Sequence, residues 1–113
     1  MPLHLSAKDV AHTTNGSLKF EGELYIFPTP FFLIADSPGN PGPPLHLHPY
    51  PETWIVRSGS AEFTAGSSRF EAATGDILVV EANTPHKYRN AGDSTLELIC
   101  THPWPRMIQT NLE

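Results

Sequence analysis

Twelve prolines and eight glycines are spread through the 113 residues of this chain, and they interrupt it too often for long helices. The apolar residues therefore come in short runs closed by turn signals, the pattern of an all-β domain. Residues 6–12 suit either one helical turn or an N-terminal strand. Asn15-Gly16-Ser17 marks a turn, and a strand is predicted over 22–27. Another strand is predicted over 30–36, ended by the loop SPGNPGPP at 37–44. Strands follow at 45–48 and 52–58, with Gly59-Ser60 read as a tight hairpin between 52–58 and the next strand. AEFTA and SRFEAA form a hairpin around Gly66, Ser67 and Ser68. Gly75-Asp76 turns the chain into ILVV, an apolar run that fits a buried strand. After Asn83-Thr84-Pro85 come strands at 86–90 and 95–102, separated by Ala91–Ser94. The N-terminal 1–21 and C-terminal 103–113 suit edge strands or arms, with Trp104 and Met107 packing on something. Strands at this regular spacing indicate a sandwich or barrel in a single domain over residues 1–113.

Within that pattern the segment HLHPYPE, residues 46–52, carries chemistry. On an extended strand, residues two apart leave the same face, so His46 and His48 point together. Pro49 and Pro51 favour extended backbone, and the even spacing then keeps Glu52 on that face. Two imidazoles and a carboxylate on one face are the beginning of a metal site.

Charge and cysteine content narrow the partners. A formal charge of −5 with scattered lysines and arginines argues against a general nucleic-acid or anionic-membrane surface. There is neither a secretory h-region nor an apolar run of membrane-spanning length. Cys100, the only cysteine, has no disulfide partner within the chain and is expected to be a small core residue. A cytoplasmic location is the default expectation.

The wider spacing is recognisable. His46-x-His48-x3-Glu52-x6-Gly59 resembles the first motif of the cupin superfamily, and Gly75-x5-Glu81-x-Asn83-x2-His86-x3-Asn90 resembles the second. Motif 1 spans about residues 40–59 and motif 2 about 75–90; the short interval between them suits the compact single-domain members. Three positions depart from the usual pattern. Asn40 and Asn83 stand where glycines are common, and asparagine tolerates left-handed backbone well enough to keep both turns. Glu81 replaces a proline and removes no ligand.

The resemblance implies a double-stranded β-helix, a jelly-roll barrel of two antiparallel sheets. It also implies that the residues matching His46, His48, Glu52 and His86 bind one divalent transition metal per chain. Such a donor set suits Fe, Mn, Ni, Cu, Co or Zn, and four ligands on an octahedral ion leave two open positions. A homodimer is implied as well.

Residues in step with these four are candidates to line the cavity. Trp54 and Val56 share parity with Glu52, and Tyr88 shares parity with His86. Tyr88 can donate to a bound substrate, although a tyrosine there is more often a core or rim residue. Tyr50, between two prolines, is placed at the mouth. Phe27, Phe31, Phe32 and Ile34 supply apolar wall or core. Arg57 and Arg106 are surface charges first and carboxylate binders second. His4 and His12 are expected in solvent, and His102 at a strand end away from the site.

The reading is a metal-dependent enzyme on a small organic molecule, dioxygenation being favoured. A non-redox isomerase, cyclase or lyase and a non-catalytic binding or sensing module stay open. No catalytic residue beyond the ligand set is assigned.

Overall fold

The computed structural model describes residues 5–6, 11–12, 17–20, 29–105 and 107–113, with only the backbone of 11 and 12. The predicted strand at 22–27 and the side chains of His4, His12, Phe27 and Arg106 lie outside the described residues. The described residues contain no helix, and hence none long and apolar enough to cross a membrane.

Among the described residues, eleven strands form two antiparallel sheets. One sheet has the order β1-β2-β3-β10-β5-β8, from Ala11–His12 (β1), Leu18–Phe20 (β2), Phe31–Asp36 (β3), Leu96–Thr101 (β10), Glu52–Ser58 (β5) and Ile77–Val80 (β8). The other has the order β11-β4-β9-β6-β7, from Thr110–Asn111 (β11), His46–Leu47 (β4), His86–Asn90 (β9), Ser60–Ala65 (β6) and Ser68–Ala73 (β7). This is the jelly-roll arrangement of two antiparallel sheets that the resemblance implies.

Alternation explains the interior. Glu52, Trp54 and Val56 are buried on β5, while Leu96, Leu98 and Cys100 are buried on β10. Cys100 pairs with Trp54 and Leu98 with Val56 across the ladder, so these side chains enter the barrel side by side. Ala61 and Phe63 on β6 and Tyr88 on β9 meet them from the facing sheet. Trp54 and Phe63 pack edge to face with centroids 5.5 Å apart.

Three local expectations need correction. Gly59-Ser60 is no hairpin: β5 and β6 belong to different sheets, and the chain crosses between them at Gly59, whose φ is 95°. The run ILVV is not fully buried. It forms β8, the last strand of its sheet among the described residues, and its outer face carries Ile77 and Val79 into solvent while Val80 enters the core. At the first motif the left-handed residues are Gly39 and Gly42; Asn40 instead accepts the Gly42 amide on its side chain, 2.8 Å away. Asn83 does adopt the left-handed conformation, with φ 61°.

Candidate metal centre

The barrel places four potential ligands at one end of its interior. His46 and His86 are directly opposite one another in the β4–β9 register. His48 follows just beyond β4. Glu52 opens β5 on the other sheet, so the expectation that it shares the histidines' strand face does not hold: the chain bends at Pro49–Tyr50, and the carboxylate meets the histidines from across the barrel. All four are buried, and one potential ligand atom from each lies within 4.8 Å of the others.

Hydrogen bonds determine which ring nitrogen faces inward. His46 Nδ1 donates to Pro44 O (2.6 Å), His48 Nδ1 to Ile108 O (2.7 Å) and His86 Nδ1 to Thr84 O (2.7 Å). A carbonyl can only accept, so each Nδ1 carries the proton, and each neutral ring is left with a lone pair on Nε2. The His48 and His86 Nε2 atoms lie 2.9 and 3.3 Å from Glu52 Oε1. His48 Nε2 is buried without a well-directed hydrogen bond. Three lone pairs and a carboxylate oxygen at such range repel unless a cation or protons sit between them. The donor set therefore fits a divalent transition ion, with each Nδ1 anchored as metal-bound histidines usually are.

Without an ion, protons have to take its place. Burial raises the Glu52 carboxyl, but hydrogen bonds from His102, and from His48 and His86 when their rings are doubly protonated, more than offset it and hold the group well below the usual carboxylate range. Burial lowers His46, partly countered by Pro44 O. At His48 burial also acts downward, but Glu52 and the Ile108 carbonyl outweigh it and the net shift is upward.

The sequence puts His102 at a strand end away from the site, but the structure brings it into the cluster. It is buried, with Nε2 3.2 Å from Glu52 Oε2 and Nδ1 2.8 Å from the Tyr50 hydroxyl. The signal was available: Leu96, Leu98, Cys100 and His102 alternate along one strand, so the histidine follows three inward side chains. Tyr50 also moves from its expected place. It is not at the mouth but buried, stacked on His48 at 5.0 Å, its hydroxyl raised by burial to about 12.

The other candidates divide. Trp54 packs edge-on against His86 (5.1 Å) and borders a cavity of about 130 Å³ that also meets His46, Glu52 and His102. Tyr88, Phe32, Ile34, Met107 and Gln109 border it too. Tyr88's hydroxyl is engaged by the Asp36 carboxyl, whose own pKa is raised by burial. Val56 lies deeper, in the apolar core, and does not line the cavity. Arg57 is exposed. Cys100 is the core residue expected, its thiol pushed up by burial. A larger depression, about 390 Å³, lies over the outer face of β6 and β9 and contains none of the four candidate ligands. Its cations Lys87 and Arg89 are paired with Glu113 and Glu62.

The family model described as Cupin domain matches residues 32–102. The chain belongs to the cupin family. Among solved structures, this cupin is similar to Bacillus subtilis oxalate decarboxylase. A mutant of that enzyme altered at positions 161–164 superposes with a TM-score of 0.77 at 20% identity, covering 91% of this chain and 29% of the other. A structure of the same enzyme described for its Mn(II) centres gives 0.78 at 20% identity, with the same coverage. At that identity the likeness is one of fold. An uncharacterized protein of Methanocaldococcus jannaschii is 32% identical over 57 residues, which are 50% of this chain and 46% of that protein. The cupin thus spans under a third of the decarboxylase and matches about half of the archaeal relative.

Proposed function

We propose that this cupin is a metal-dependent enzyme that binds one divalent transition ion through His46, His48, Glu52 and His86. Its substrate is a small organic molecule held in the adjoining cavity. The observation that carries this is the convergence of three Nε2 lone pairs and a carboxylate oxygen beside a space of about 130 Å³. Dioxygenation is the first reading: a redox-active ion there would supply electrons and Lewis acidity, while the protein orients substrate and excludes water. Trp54, Phe32 and Ile34 supply the apolar walls, and Tyr88 and Gln109 the polar contacts. The fold's likeness to a manganese-containing decarboxylase supports a second reading, a lyase reaction, and makes manganese a candidate ion.

Elemental analysis of protein purified without added metal tests the site. The expected result is one ion per chain, lost in His48→Ala; a folded wild-type protein without metal affinity overturns both readings. Oxygen uptake during turnover separates them, since turnover without it rules out dioxygenation. A homodimer is part of the proposal, supported by Ile77 and Val79, exposed on β8, the last strand of its sheet among the described residues. So is a reducing, cytoplasmic setting, which suits the unpaired, buried Cys100.

A further inference from the structure

His102 is the fourth histidine of the cluster, and its protons run opposite to those of the other three. Glu52 Oε2, at 3.2 Å from His102 Nε2, can only accept as a carboxylate, so Nε2 carries the proton. His102 Nδ1 is then the lone pair, and the Tyr50 hydroxyl, 2.8 Å away, donates to it. Met107 Sδ is the competing acceptor for that hydroxyl proton, but it is a weaker acceptor and farther off at 3.7 Å. The Ile108 amide approaches the same hydroxyl oxygen as a donor, at 3.4 Å. A directed chain thus runs from the Ile108 amide through Tyr50 and His102 to the outer oxygen of Glu52. His46, His48 and His86 present lone pairs to the centre; His102 presents a hydrogen.

The two carboxylate oxygens of Glu52 are divided between these partners. Oε1 faces His48 and His86, and Oε2 faces His102. His102 is itself held: its backbone amide donates to Pro30 O at 2.9 Å and its ring packs edge-on against Phe32 at 5.3 Å. Tyr50 is fixed by stacking on His48. Glu52, Cys100 and His102 also lie close enough together to suggest a second ligand group. The proton on His102 Nε2 and the protonated, buried thiol oppose that use.

Resting on the ligand set proposed above, we infer that His102, oriented by Tyr50, is a positioning residue that occupies Glu52 Oε2. The carboxylate would then offer an ion a single oxygen, Oε1. Partners of this kind fix ligand orientation, and their removal typically weakens metal affinity by about 10–100-fold.

Cobalt(II) alone is the probe, because its visible d–d bands report coordination number and geometry. Affinity is read by chelator competition, and the thermal midpoint of the metal-free protein controls for folding. His102→Leu should weaken cobalt binding by about 10–100-fold and alter the d–d bands as Oε2 becomes free to join the ion. His102→Gln, whose amide can still donate to Oε2, should bring both readouts back towards wild type. Tyr50→Phe, a single-oxygen deletion that preserves the stacking ring, should shift both in the direction of His102→Leu, by less. Unchanged affinity and bands in a folded Tyr50→Phe or His102→Leu overturn the inference. So does loss of the bound ion in His102→Gln at an unchanged midpoint, which would make the ring a ligand. Wild-type protein that takes up no cobalt would instead fail the metal site itself.

Discussion

His48 Nδ1 donates to the carbonyl of Ile108 at 2.7 Å, so a candidate ligand takes its orientation from a residue 60 positions farther along the chain. The C-terminal segment is therefore a structural part of the centre. Its strand β11 pairs Asn111 with His46 and Thr110 with Leu47, and Glu113 accepts from both the Leu45 amide and Lys87.

Deleting residues 107–113 should thus act at the metal and not only on stability. It removes the acceptor that sets the His48 tautomer and uncovers the cavity wall made by Met107 and Gln109. Metal affinity, measured by chelator competition, is expected to fall by about 10–100-fold.

The depressed pKa of Glu52 makes the metal-free protein acid-sensitive. Its folded value lies below the unfolded 4.5, so the unfolded state binds more protons in the acid range. The associated stability is fully present above 4.5 and is lost as pH falls towards the folded value. Urea midpoints between about pH 6 and pH 3 should fall with pH, and Glu52→Gln should flatten that slope.

Gly42 and Gly39 provide a matched pair in the loop before β4. Both have positive φ, but a Cβ at Gly42 would overlap the Tyr88 carbonyl oxygen, whereas one at Gly39 meets nothing within 4 Å. Gly39→Ala should cost about 1 kcal/mol from backbone strain alone, and Gly42→Ala more than about 2 kcal/mol. Urea denaturation of the metal-free variants provides the comparison; equal costs would mean that the loop moves freely away from β9.

Asn90 closes the second motif by hydrogen bonding and is not one of the four candidate ligands. Its amide donates to Asp36 O (3.0 Å) and Ser94 O (2.9 Å), and its side-chain oxygen accepts from the Gly92 amide (2.9 Å). Asn90→Ala should destabilise the fold by about 1–3 kcal/mol while leaving metal stoichiometry unchanged. Elemental analysis and urea unfolding of the same preparation read the two effects separately.

Local sequence determined more of this protein than its length suggests. Strand bounds at 52–58 and 86–90 follow from alternation and flanking turn residues, and alternation puts His46 and His48 together, but Glu52 does not share their face: the chain bends at Pro49–Tyr50 and Glu52 comes in from the opposite sheet. Parity likewise put Trp54 beside the site. What failed depended on neighbours that the sequence does not name. A run of four apolar residues does not show which of its faces meets water, so ILVV reads as buried although Ile77 and Val79 face solvent. A glycine can reverse the chain within a sheet or carry it to another sheet, and Gly59 does the second because β10 and β8 already occupy both sides of β5. His102 and Tyr50 are 52 residues apart, and no spacing rule links them. The sequence by itself specified a barrel of short strands and the residues at one end that can hold an ion. Only tertiary structure decided which nitrogen of each histidine carries the proton, because that depends on carbonyls, a carboxylate and a phenol that packing brings within hydrogen-bonding distance.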